Sequence, residues 1–185
     1  MPDLRNSQVR FPTTTSRTFL SASPTLPRKL AAEAVGTFVF VFVGAGSAVE
    51  TGTLLNANSA SLLLVVALAN GLGLAMAVSA TMGISGGVLN PAVALGLWVG
   101  KKLPSRDVIP YILVELIGAI AAGLALVAAF PSALGNAVQW GSPTLRGLLS
   151  VWQGIGVEAL LTFVLVIAVF GTAATPELLI SADWG

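Results

Sequence analysis

The chain has no cysteine, no histidine and a single tyrosine, and only 9% of its 185 residues are charged. Without cysteine and histidine, a disulfide, the usual zinc or haem ligand sets and a Ser-His or Cys-His nucleophile pair are all excluded. We therefore expect no catalytic residue, no metal, no cofactor and no enzyme activity. No nucleic-acid partner is expected either. What the chain does have is 55% hydrophobic residues and a mean hydropathy of +0.89, which is typical of a membrane protein.

Four apolar stretches are long enough to cross a bilayer, which takes about 20 apolar residues. Each is apolar all round, unlike a surface helix of a soluble protein. Small residues in the second and third stretches are expected to allow close helix packing: Gly71, Gly73, Gly118, Ala119, Ala122 and Gly123. The sequence predicts an all-α membrane region over residues 30–175, with spans at about 30–49, 60–82, 109–130 and 155–174.

The basic residues predict the orientation. Most of them precede the first span or lie between the second and third spans: Arg5, Arg10, Arg17, Arg28, Lys29, Lys101, Lys102 and Arg106. Positive charge collects on the cytoplasmic side, so we expect a multi-pass protein of the plasma membrane with a cytoplasmic N-terminus. Residues 1–29 are predicted to be a disordered Ser/Thr/Pro-rich tail, with an organellar transit peptide as the alternative, and residues 176–185 a short tail.

A glycine-rich segment and a short apolar stretch lie between the second and third spans. Residues 83–89 contain three glycines and should be irregular. Asn90 followed by Pro91 is a helix-start signal. The helix predicted over 91–100 is about 15 Å long, half a bilayer, so it should re-enter the membrane and stop near the middle. Irregular backbone at that depth lines a watery cavity or is buried in protein. An ordinary interfacial helix is the alternative.

A pattern recurs in the first and fourth spans: Glu-x-x-x-Thr-Phe begins at Glu33 and again at Glu158. A repeat after three spans starts on the opposite side of the membrane, as in inverted-topology transport proteins. We expect both acids to be buried and to accept hydrogen bonds from free amides of re-entrant loops, with a proton or ion relay as the alternative. Glu115, in the third span, is a further acid without an assigned partner.

Asn90-Pro91-Ala92, the lead-in Ser85-Gly86 and the Glu repeat together resemble the major intrinsic protein family, the aquaporins and glycerol facilitators. The resemblance implies an aquaporin-like fold and passive transport of water or small neutral solutes such as glycerol. It implies that Asn90 faces the pore and that Pro91 and Ala92 complete the motif. By the same resemblance, the carbonyls of Gly86, Gly87 and Val88 form a ladder of acceptors, and Glu33 and Glu158 are the family's buried acids.

The chain departs from the family's pattern at several positions. Asn70 stands where an aromatic commonly narrows the selectivity filter, which implies a filter that is wider or more polar. Val88 and Ala94 replace a frequent His and Thr, so the cytoplasmic vestibule is less polar. Glu115 replaces a Gln, which alters charge or packing near the pore.

The family fold has two repeats, with six spans and two half-helices, whereas the sequence given has four spans and one Asn-Pro-Ala triplet. We therefore expect a C-terminally incomplete inverted repeat, completed in a homo-oligomer such as the family tetramer or by a chain that supplies the missing half. Three interpretations stay open: a channel that conducts in such an assembly or as a piece of a longer one, a non-conducting truncated or modulatory subunit, and an ion-coupled carrier.

Overall fold

The computed structural model describes residues 24–54, 59–145 and 149–172, and the described part is built from helices and connecting loops without strands. Four helices are long and apolar enough to cross a membrane. The predicted all-α membrane fold is therefore confirmed. In chain order the helices are α1 Leu26–Leu54, α2 Ser59–Ser85, α3 Pro91–Val99, α4 Ser105–Ala129, α5 Ser132–Ala137 and α6 Val151–Thr172.

The helices extend beyond the apolar segments from which they were predicted. α1 runs to Leu54, and α2 runs to Ser85, where the Gly86 amide still donates to the Met82 carbonyl at 3.2 Å. The irregular loop therefore begins at Gly86 rather than at Gly83, because helical hydrogen bonding tolerates a single glycine at a helix end. α5 and a 3-10 turn at Gln139–Gly141 lie in a segment for which no helix was predicted.

α1 lies at the centre of the described fold and packs against both α2 and α4. α4 crosses it so closely that a Cβ added at Gly118 would lie 2.4 Å from the Ala34 carbonyl oxygen. Ala122, one turn further on, is fully buried. By contrast, an added Cβ at Gly71 or Gly123 has no atom of the described residues within 4 Å, so these two glycines do not mark a close helix contact within the described part of the chain. A run of small residues does not show which face of a helix meets its neighbour.

Two glycine variants of α4 test this crossing. Gly118→Ala is expected to destabilise the protein by about 1–3 kcal/mol, because its methyl group meets the rigid backbone of α1. Gly123→Ala is the matched control: it removes the helix penalty of glycine where space is open, so its stability should be unchanged or slightly higher. The two midpoints of thermal unfolding in detergent are compared. Equal destabilisation of both variants would contradict the close crossing.

α3 is the shortest of the apolar helices and contributes to a cluster of buried hydrophobic side chains. Its buried residues Val93, Ala94 and Leu97 pack with Val88 of the preceding loop and with Val108 of α4. α6 lies against this cluster through Leu165, Val166, Val169 and Phe170. None of the residues of α6 is itself buried, so this helix presents most of its apolar surface outward.

Candidate functional site

The loop of residues 86–90 joins α2 to α3 and has an unusual backbone. Gly86, Gly87 and Leu89 have φ angles of +98°, +62° and +52°. Glycine adopts this left-handed conformation freely, and at Gly87 a Cβ would also lie 3.1 Å from the Val78 carbonyl oxygen. Leu89 is a branched residue in the same region, which is uncommon and costs free energy. Surrounding contacts must therefore hold the loop in place.

Glu33 of α1 supplies the main contact. Its Oε1 accepts a hydrogen bond from the Val88 amide at 3.1 Å, and its Oε2 accepts one from the Leu89 amide at 2.6 Å. The side chain is fully buried, and its charge is met by two amide dipoles. One turn later, Gly36 makes room for the Leu89 side chain: an added Cβ would lie 2.5 Å from Leu89 Cδ2. α1 thus provides both a hydrogen-bond acceptor and a packing surface for the loop.

Ser85 and Tyr111 hold the loop from the other side. The Tyr111 hydroxyl donates to the Ser85 carbonyl at 2.9 Å, and the Gly87 amide donates to Ser85 Oγ at 3.4 Å. Tyr111 is 1% exposed, so this hydrogen bond is shielded from water. Tyr111 was not among the residues predicted from the sequence. Its signal was available, since the chain's one tyrosine lies in an apolar span and a buried hydroxyl needs a partner.

Asn90 is the N-cap of α3. Its backbone is extended, with φ −156° and ψ 125°, and its Oδ1 accepts from the Ala92 amide at 2.8 Å. Pro91 follows at the first helical position, where no amide is needed. The cap uses the side-chain oxygen, so Nδ2 retains its two N–H donors. The residue is only half-buried, which leaves these donors accessible.

The loop also has unused acceptors. The amides of Gly86, Gly87 and Val88 donate to Met82, Ser85 and Glu33, respectively. Within the described ranges, no hydrogen bond is made to the carbonyl oxygens of these three residues. Three carbonyl acceptors therefore lie two to four positions before Asn90 in the chain.

Asn70 lies elsewhere. It is partway along α2, about 22 Å from Ser85 at the helical rise per residue. Its Nδ2 donates to the Val66 carbonyl at 2.9 Å, and its Oδ1 packs where a Cβ at Gly44 would lie only 2.4 Å away. The amide is therefore placed between α1 and α2, and the structure does not bring it together with Asn90.

Glu158 differs from its sequence counterpart Glu33. It is exposed on α6 and lines an open, mainly apolar cavity with Leu145, Thr162 and Phe163. Among the described residues Glu158 is exposed, so its burial under a re-entrant loop stays a prediction. The recurring pattern specifies the helix but not what covers it.

Glu115 of α4 is buried, with 1% of its surface exposed. Its carboxyl faces that of Glu33 and the backbone amide of Asn90. Neither of its oxygens has a hydrogen-bond partner among the described residues. No group of His, Cys, Asp and Glu side chains suited to a metal ion is found in the described ranges.

The family model named major intrinsic protein matches residues 21–182. The chain belongs to the major intrinsic protein family. This confirms the resemblance inferred from Asn90-Pro91-Ala92 and the Glu repeat.

Similar aquaporins come from a plant, an archaeon and a bacterium. Probable aquaporin PIP2-1 of Oryza sativa subsp. japonica is 43% identical over 100 residues, which cover 54% of this chain and 34% of the relative. Aquaporin AqpM of Methanothermobacter thermautotrophicus is 37% identical over 90 residues, covering 49% and 37%. Aquaporin Z of Brucella melitensis is 38% identical over 101 residues, covering 52% and 44%. The matched segment thus spans less than half the length of each of these relatives.

Proposed function

We propose that this chain provides one half of a passive transmembrane pathway for water or small neutral solutes such as glycerol. The observation that carries the proposal is the arrangement at Asn90. Its oxygen is used in the helix cap, its N–H donors are free, and the loop before it is fixed by the buried Glu33 carboxylate. The family of the chain and the aquaporins it is similar to support the same function.

The geometry gives a simple mechanism of passage. A neutral solute accepts a hydrogen bond from Asn90 Nδ2 and donates to the carbonyls of Gly86, Gly87 and Val88. These contacts replace part of its hydration. The N-terminus of α3 carries a partial positive charge, which disfavours cations at the same point. Aquaporin-type pores in general select by pore width, hydrogen-bonding groups and half-helix dipoles, and this mechanism has the same form.

The chain is an integral multi-pass membrane protein. We place its N-terminus in the cytoplasm and its residence in the plasma membrane. Arg28, Lys29 and the cluster Lys101, Lys102 and Arg106 lie at helix ends that would then share the cytoplasmic side. Protease access or cysteine labelling at these ends of the chain, in sealed vesicles of known orientation, tests the placement.

The second half of the pathway would belong to a longer form of this chain, to a second copy of it or to another chain of the family. α6 has an outward face with no buried residue, and Glu158 lies in the open cavity on it. This face has room for a re-entrant loop like the one that Glu33 holds. A family tetramer is the arrangement that we infer for the complete pathway.

The same exposed face favours a second candidate function. A chain that conducts nothing itself could join full-length relatives through α6 and modulate them. Co-purification of the chain with a full-length aquaporin, together with unchanged flux in liposomes that contain only this chain, would support that function over the first.

Solvent and solute flux in proteoliposomes tests the proposed function. The chain is expected to increase osmotic water flux or glycerol uptake over empty liposomes, down any gradient of the solute itself. Neither flux should require a proton or sodium gradient. Uptake that requires one of these gradients would instead identify an ion-coupled carrier that uses Glu33, Glu115 or Glu158.

We also propose that Asn70 affects the choice of solute. After its hydrogen bond to Val66, its amide keeps one N–H donor that a polyol hydroxyl can use. Asn70→Leu, which has a similar size and no amide, is expected to lower the ratio of glycerol to water permeability about tenfold. Stopped-flow light scattering with each solute measures this ratio. An unchanged ratio would remove Asn70 from the pathway and leave it a packing role beside Gly44.

A further inference from the structure

The buried carboxyl groups of Glu33 and Glu115 face each other across the contact between α1 and α4. They are 0% and 1% exposed. Glu33 uses both oxygens to accept amide hydrogen bonds, whereas Glu115 makes no hydrogen bond to a described residue. The passage mechanism described above uses Glu33 and leaves Glu115 without a role.

The surroundings of the pair contain no described positive charge. Three groups face Glu115: the carboxyl of Glu33 on α1, the backbone N–H of Asn90 in the loop, and Tyr111 on the same helix, α4. Asp107 lies near Tyr111, and its Oδ1 is 3.6 Å from Arg106 Nε. Arg106 therefore pairs with Asp107 rather than with Glu33 or Glu115. No lysine or arginine of the described ranges is among the groups that act on Glu115.

Two adjacent carboxyl groups that are buried without a neighbouring positive charge cannot both ionise without a large cost in free energy. The second charge would be desolvated, repelled by the first and unpaired. A carboxylic acid, in contrast, donates one hydrogen bond through its O–H and still accepts another. Glu33 has the hydrogen-bonding pattern of the ionised partner, because it accepts two N–H groups. The proton of the pair then belongs on Glu115.

We propose that Glu115 is a protonated positioning residue, whose O–H donates to the Glu33 carboxylate and holds it against the loop of residues 86–90. Its carboxyl also faces the backbone N–H of Asn90. When alkaline medium removes the proton, a second negative charge arises beside Glu33. Glu33 and α4 then separate, the loop loses its anchor, and Asn90 moves from its position. The pathway would therefore close as pH rises.

The flux arm of the test rests on the proposed function. Flux through the unaltered chain is expected to be highest in mildly acidic and neutral medium and to fall at least about tenfold in alkaline medium. Glu115→Gln donates an N–H at every pH, so its flux should match the acidic value of the unaltered chain and stay constant. Glu50→Gln, an exposed carboxyl on α1, is the matched control and should keep the full pH dependence. The proposal is overturned if Glu115→Gln and the unaltered chain share one pH profile.

An infrared arm does not depend on conduction. At neutral pH, the unaltered chain should show the C=O stretching band of a protonated carboxylic acid, and this band should disappear in alkaline medium and in Glu115→Gln. Because the pH titration uses the unaltered chain, misfolding of a variant does not affect it. If the infrared band is present but the chain conducts no flux, the shared proton is supported and the proposed function is refuted. The absence of the band would refute the shared proton whatever the flux.

Discussion

Replacing Glu33 with leucine is expected to abolish chain-dependent flux and to destabilise the fold by about 3 kcal/mol. The Val88 and Leu89 amides donate to this one carboxylate. Each buried amide left without an acceptor costs about 1–3 kcal/mol. Leu89 would also lose the contact that holds its left-handed backbone. The midpoint of thermal unfolding in detergent and the osmotic flux of liposomes measure the two effects.

Two further variants make this prediction specific. Glu33→Gln keeps one acceptor oxygen and should lie between the unaltered chain and Glu33→Leu in both measurements. Val35→Leu changes an outward-facing position of the same helix, 61% exposed, and should alter neither. A Glu33→Leu protein as stable as the Val35→Leu control would mean that the carboxylate does not anchor the loop.

Replacing Asn90 with aspartate is expected to lower the flux about tenfold, while the thermal stability changes little. Aspartate accepts the hydrogen bond from the Ala92 amide as well as asparagine does, so α3 keeps its cap. The substitution removes both N–H donors and adds a negative charge, which the N-terminus of α3 attracts. A water or glycerol molecule then meets an acceptor where it had met a donor.

Asn90→Ala is the matched comparison, because it removes the donors and the cap together. It should lose about 1 kcal/mol of stability in addition to flux. The variants thereby separate the role of Asn90 in folding from its role in passage. If aspartate and alanine lower stability equally and flux follows stability, Asn90 acts through the fold alone.

The parts of this protein that were predictable from sequence are those set by local chemistry. The length of the apolar runs predicts the spanning helices, and Asn90-Pro91 predicts where α3 begins. The need of free amides for an acceptor predicts a buried acid as their partner, and Glu33 has this position. Each inference needs only a short segment and a general rule.

The remaining features depend on contacts between distant parts of the chain. Glu33 and Leu89 are 56 positions apart, and no local pattern shows that Leu89 adopts a positive φ. The use of Tyr111 to bind the Ser85 carbonyl follows only once α4 is placed beside the loop. The exposure of Glu158 likewise reflects what packs on α6, although its own helix repeats the pattern around Glu33.

The temperature dependence of osmotic water flux in proteoliposomes tests the central claim most directly. Water that passes along Asn90 and the loop carbonyls does not dissolve in lipid, so the flux should be faster than in empty liposomes and should depend more weakly on temperature. The Asn90→Asp protein, reconstituted at the same density, should lose this component. Flux equal to that of empty liposomes at every temperature would contradict the claim that this chain provides a pathway for water.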